Sequence, residues 1–178
     1  MTKKTTTKYN SNIQEKRVAK ELNADVTVAS GALWGQKGDV RNEQFLVECK
    51  TTHNKFYSLN RNIWSKIEKE AINDGIRLPI MCIDLEDGKN RIAVIKYLDF
   101  IGLDLDTKAQ YLGNSIPELV ENKSFRVNAD FIGAPFPQEL EEGQYPCYRR
   151  DIKFITPYGG IHLVMIPWED FINILDNN

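Results

Sequence analysis

The stretch Leu78–Leu85 narrows the folds open to this chain more than any other: eight residues, apolar but for Asp84, closed by Glu86-Asp87-Gly88-Lys89. Eight residues cannot cross a bilayer, and a strand apolar on both faces needs a layer packed on each side. The turn-forming tetrad sends the chain back into a second strand over Arg91–Tyr97. Around this pair the pattern alternates between helix and strand. Ser11 and Gln14 read as a capping box opening a helix over 12–23. Val26 and Val28 suggest a short strand, and Val40 with Phe45–Lys50 a hairpin. Apolar residues Ile63, Trp64, Ile67 and Ala71 mark a helix over 61–73, ended by Asp74-Gly75. Residues 98–130 read as short helical pieces, and the prolines between 135 and 146 as a long loop. A hairpin through Pro157-Tyr158-Gly159-Gly160 and a helix from Pro167 to Leu175 close the chain. The expected fold class is therefore α/β, a mixed β-sheet flanked by helices.

Length and composition agree with one such domain. At 178 residues, with 42% hydrophobic and 27% charged side chains, the chain can bury a sufficient core without staples. No apolar run approaches a membrane span, and the Lys/Thr-rich residues 1–10 lack the apolar segment of a secretory signal. They read as a disordered basic arm ahead of a single domain over 11–178. Three scattered cysteines give neither disulfide pairs nor a zinc spacing, which fits a cytoplasmic protein. Charge is unevenly placed. Through Lys66 twelve Lys and Arg face six Asp and Glu, whereas from Ile67 on eleven face nineteen. A basic first third on a chain of net charge −2 suggests a local surface for a polyanion.

One constellation carries chemistry. In a strand over 45–50, Glu48 and Lys50 point to one face while Phe45, Val47 and Cys49 point to the other. Asp39 follows Gly38 at the start of the partner strand, so the hairpin brings it across from Glu48. Glu15 falls in the helical stripe Glu15–Val18–Ala19–Leu22, where a carboxylate is costly unless something needs it. Phosphodiester hydrolysis supplies that need. It calls for a hard cation that polarises the phosphate and acidifies a water, and Mg²⁺ favours a few carboxylates plus waters. Asp39, Glu48 and the backbone carbonyl of Cys49 suit it, and a lysine beside them can orient the water and offset developing charge.

Gly38-Asp39-Val40, the eight residues between Asp39 and Glu48, and Glu48-Cys49-Lys50 together resemble the Asp…Glu-x-Lys core of the restriction-endonuclease-like (PD-(D/E)XK) nuclease superfamily. Ser30-Gly31-Ala32 ahead of Gly-Asp, and a glutamate on the leading helix, are most similar to its Holliday-junction-resolvase branch. The resemblance implies a mixed sheet flanked by helices and a DNA endonuclease that is a homodimer. It also implies a site in which Glu15, Asp39 and Glu48 serve Mg²⁺ (Mn²⁺ substituting), Lys50 is catalytic and Ser30 belongs to the active-site loop. It spans about residues 11–97, with the closing hairpin and helix over 152–175. Gly38 stands where proline is frequent, and 98–150 reads as an unrecognised insertion. Four-way junctions are the first expected substrate. The alternatives are a restriction or repair endonuclease acting on duplex DNA, and a non-cleaving DNA-binding module on the same scaffold.

Basic residues around this core are candidates for phosphate contact: Lys16, Arg17 and Lys37 first, with Lys3, Lys4, Lys8, Lys20, Lys55 and Arg61 behind them. Trp64 could stack on a base, although its place in an apolar stripe points to the core. His53, three residues after Lys50, could assist catalysis. His162, in an apolar strand, reads as structural.

Overall fold

The computed structural model describes residues 3–27, 38–105, 109–132, 145–157 and 159–176. In chain order the elements are α1 (Lys3–Glu21), β1 (Asp25–Val26), β2 (Val40–Arg41), β3 (Phe45–Thr51), β4 (Phe56–Asn60), α2 (Arg61–Asn73) and β5 (Leu78–Leu85). They continue with β6 (Asn90–Lys96), α3 (Tyr97–Gly102), β7 (Ala109–Val120), β8 (Ser124–Asn128), β9 (Tyr145–Phe154), β10 (Ile161–Pro167) and α4 (Trp168–Asp176). Eight strands form one mixed sheet in the order β1-β2-β3-β5-β6-β10-β9-β7, and β4 pairs with β8 in a separate two-stranded sheet.

The run Leu78–Leu85 is the central strand expected of it. From Pro79 to Leu85 every residue is buried, and the strand lies parallel to β3 and antiparallel to β6. Alternate side chains feed two cores, one on each face of the sheet. Val47, Cys49, Ile80, Cys82, Ala93 and Ile95 face α1, α3 and α4, through Val18, Leu22, Phe100, Trp168 and Phe171. Met81, Ile83, Ile92 and Val94 face α2 and the small sheet, through Trp64, Ile67, Leu59, Phe125 and Val127. Helix α2 occupies its expected span. Asn60 caps it by accepting from the Asn62 N–H, and Gly75, at φ 99°, follows its last turn. All three cysteines are free and buried, and among the described residues no helix is long and apolar enough to cross a membrane.

Three expectations are corrected. Helix α1 begins at Lys3, so most of the basic arm expected to be disordered over 1–10 is helical. Ser11 and Gln14 therefore lie inside the helix and form no capping box. Residues 98–130, expected as short helical pieces, supply α3 but then the strands β7 and β8, and β7 with β9 completes the main sheet. Pro117 explains why β7 does not read as a strand. It has no N–H to donate, and the β7–β9 register shifts between Asn114 and Glu118 around it; only an edge strand tolerates this. Of the prolines expected in a loop over 135–146, Pro135 and Pro137 lie outside the described residues, whereas Pro146 lies in β9 and not in a loop.

Candidate active site

The hairpin β2–β3 sets the first carboxylate. Asp39 donates its N–H to the Val47 carbonyl at 3.0 Å, and its Oδ2 accepts the Cys49 N–H at 2.8 Å. Gly38 makes this close approach possible: its φ is 71°, and a Cβ there would lie 2.7 Å from Leu46 Cδ1. The N–H and C=O of one residue share a strand edge, so the Cys49 carbonyl lies on the edge of β3 that faces Asp39. On β3 itself, Lys50 Nζ donates to Glu48 Oε1 at 2.5 Å, and both side chains are largely shielded from solvent.

Glu15 reaches this group from α1. Its carboxyl is held above the usual glutamate range, first by burial and then by the negative charges of Asp39 and Glu48, which outweigh the pull of Lys50. Burial works against the Lys50 ammonium, but Glu48, Asp39 and Tyr57 overcome it and raise its pKa. Four sequence-predicted residues, Glu15, Asp39, Glu48 and Lys50, therefore share one electrostatic environment, although Glu48 and Lys50 alternate with Val47 and Cys49, the β3 residues that face α1. Among the described residues no three His, Cys, Asp or Glu side chains stand ready as a cage for a metal ion. Mg²⁺ asks for less, because it takes one or two carboxylates and keeps several waters. The donor set here, hard oxygens whose mutual repulsion a cation would relieve, suits that demand.

Two residues at the site escape sequence reasoning. Gln14 is buried, and its Nε2 donates to the carbonyls of Lys50 and Cys82, each at 3.1 Å. It thereby locks α1 onto the parallel pair β3–β5 one residue before Glu15. A glutamine directly ahead of an inward-facing glutamate was the available signal. Tyr57, half-buried on β4, has its phenol pKa raised by burial and by Glu48, against the opposing charge of Lys50. Nothing in its spacing marks it.

The remaining candidates divide. Ser30 and Lys37 lie outside the described residues. Lys16 is exposed on α1, free to meet a phosphate. Arg17 instead has its guanidinium on the buried Asp84. A carboxylate inside an apolar strand requires a counter-ion, and that requirement claims Arg17. Asp84 also faces Arg91 across the β5–β6 pair, and Arg91 donates to Glu21 at 2.9 and 2.6 Å and to Glu169 at 3.1 Å. Trp168 Nε1 completes the clamp on Glu21 at 2.8 Å. Trp64 is fully buried and belongs to the core. His53 pairs with Asp87 at 2.5 Å on the surface. His162, as expected, is structural, bonded to the buried Asp151 at 2.8 Å and stacked on Tyr97. No family model matches this chain, and no curated protein or solved structure is found to be similar to it.

Proposed function

We propose that this protein is a divalent-metal-dependent DNA endonuclease of the restriction-endonuclease-like class, with four-way junctions as its first candidate substrate. One observation supports the reading: Glu15 on α1, Asp39 just ahead of β2, and Glu48 and Lys50 on β3 interact electrostatically as one group, the residue types that a phosphodiester-cleaving site of this class uses. A purely structural role accounts poorly for Glu15, because its ionisation is opposed by burial and by two neighbouring carboxylates.

When bound, a divalent cation polarises the scissile phosphate and acidifies the attacking water. Asp39, Glu48 and the Cys49 carbonyl would hold it, with Glu15 completing the negative charge. The elevated pKa of Lys50 keeps it cationic at neutral pH. In that state it orients the water and offsets charge that develops on the phosphate. Gln14 holds the Lys50 backbone in place through its bond to the carbonyl.

The test is cleavage of a four-way junction, a fork and a linear duplex with Mg²⁺, alongside EDTA and the variants Asp39→Asn and Glu48→Gln. Cleavage confined to the metal-containing wild type is the expected result. Cutting that persists in EDTA or in either variant removes the metal-site assignment.

A further inference from the structure

The small sheet β4–β8 begins after four residues that follow the end of β3, so Phe56 is within about 20 Å of Lys50 whatever path the chain takes. It packs on the face of the main sheet that carries Met81 and Ile83, the register partners of Glu48 and Lys50. The pairing Tyr57–Val127 and Leu59–Phe125 turns those four side chains toward the core. The alternate pairs, Phe56–Asn128 and Ser58–Arg126, consequently form the outer face.

That face has an unusual make-up. Phe56 is 38% exposed, and the Arg126 guanidinium lies 4.2 Å above its ring. The two segments 55–61 and 123–128 contain Lys55, Arg61, Lys123 and Arg126 and no Asp or Glu, in a chain of net charge −2. Among the described residues Lys55, Lys123 and Arg126 form no ion pair, although most of the arginines elsewhere do. An arginine that merely masked a surface ring would account for Phe56 alone. It leaves unexplained why these two segments carry basic residues and no acidic ones, the acids nearest in sequence, Glu121 and Asp130, lying outside them with Asp130 bonded to Asn128.

We infer that the outer face of β4–β8 binds an unpaired strand of nucleic acid, a base stacking on the Arg126–Phe56 ledge while Lys55 and Lys123 meet the phosphates. This rests on the nuclease reading and sharpens it: the substrate carries unpaired nucleotides next to the scissile phosphate. Charge complementarity selects a polyanion, and the exposed ring selects one with accessible base faces. A continuous duplex keeps its base faces inside the stack and offers phosphate alone, whereas an unpaired strand offers both.

The measurement is fluorescence anisotropy with labelled oligothymidine and with a blunt duplex, in EDTA so that metal-dependent cutting is suppressed. Phe56→Leu and Arg126→Gln should each weaken binding of the single strand about tenfold, as expected for losing one stacked base. Phe56→Trp should retain it, and duplex binding should change less. Ser58→Asp, at an exposed position that places an anion opposite Arg126, should weaken binding too; it serves if the Phe56 variant fails to fold. Wild type that binds DNA while Phe56→Leu, Arg126→Gln and Ser58→Asp all bind the single strand equally well overturns this inference and leaves the nuclease reading intact. Polyglutamate that competes fully, with Phe56→Leu unaffected, overturns it in favour of an acidic protein partner. Single-strand binding lost in these variants, by a wild type that cuts nothing with Mg²⁺, leaves the platform standing and removes the nuclease reading.

Discussion

Glu15 and Lys50 make opposite demands on the protein at the residue scale. A carboxyl whose pKa is raised on folding binds its proton more tightly in the folded state, so its ionisation lowers stability as pH rises toward neutral. Glu15→Gln should accordingly leave the metal-free melting temperature at pH 7 unchanged or higher. Wild type should gain stability from added Mg²⁺ by mass action, and the variant should gain less while losing cleavage. A variant that melts lower without metal and responds fully to Mg²⁺ would take Glu15 out of the site. Lys50 is stabilised as a cation, so Lys50→Ala should lower kcat by roughly 10²–10³-fold with little change in DNA affinity. A pH–rate profile of wild type should show no loss of activity from its deprotonation below the ordinary lysine range. Weaker binding at unchanged turnover would make Lys50 a phosphate contact instead. These residues were legible in the sequence because spacing alone puts two of them on one strand face and a third across a hairpin. Gln14 was not, since a glutamine three residues after a serine also fits a helix start. Its bonds to Lys50 and Cys82 depend on where α1 lands on the sheet.

The hairpin β2–β3 is the element on which the site's geometry depends, and Gly38 is its most constrained point. A side chain there would need φ 71° and a Cβ 2.7 Å from Leu46, a residue with no exposed surface. Gly38→Ala should destabilise the protein by about 1–3 kcal/mol in urea unfolding, and by shifting Asp39 it should also lower turnover. Gly102→Ala is the matched control. It sits at the end of α3 with nothing within 4 Å of its Cβ, and should be neutral or slightly stabilising. Equal effects of the two substitutions would mean that Gly38 is not tightly held. Most elements in the first half and at the C-terminal end of the chain could be read from periodicity and turns: the central strand, the β2–β3 hairpin, α2 and the final hairpin with α4. Strand β7 could not. Gly113 and Pro117 interrupt its pattern, and pairing with β9, more than thirty residues later in sequence, compensates through tertiary contacts that no local signal carries.

At the scale of the whole molecule, α1 is joined to the rest of the fold by charge as well as by apolar packing. Arg91 on β6 binds Glu21 on α1 and Glu169 on α4, Trp168 holds the same Glu21, and Arg17 on α1 meets Asp84 on β5. Arg17 and Glu21 follow Gln14 and Glu15 on the same helix, so these contacts fix how that segment meets β3. Burial disfavours the Glu21 carboxylate, but its bonds to Arg91 and Trp168 prevail and bring its pKa below the usual glutamate range. A carboxylate depressed in this way stabilises the fold fully above its ordinary pKa, and that contribution is lost as pH falls through the lower folded value. The urea midpoint should therefore decline on acidification below the ordinary glutamate range, and Glu21→Gln should remove part of that slope. Arg91→Met should cost about 3–5 kcal/mol near neutral pH, because Glu21 loses its main counter-ion and Asp84 one of two. In that variant kcat should fall at temperatures well below its melting point, with α1 no longer held in register. An Arg91→Met protein that is destabilised yet cleaves at the wild-type rate while folded would show that Glu15 is positioned by Gln14 and the apolar stripe alone.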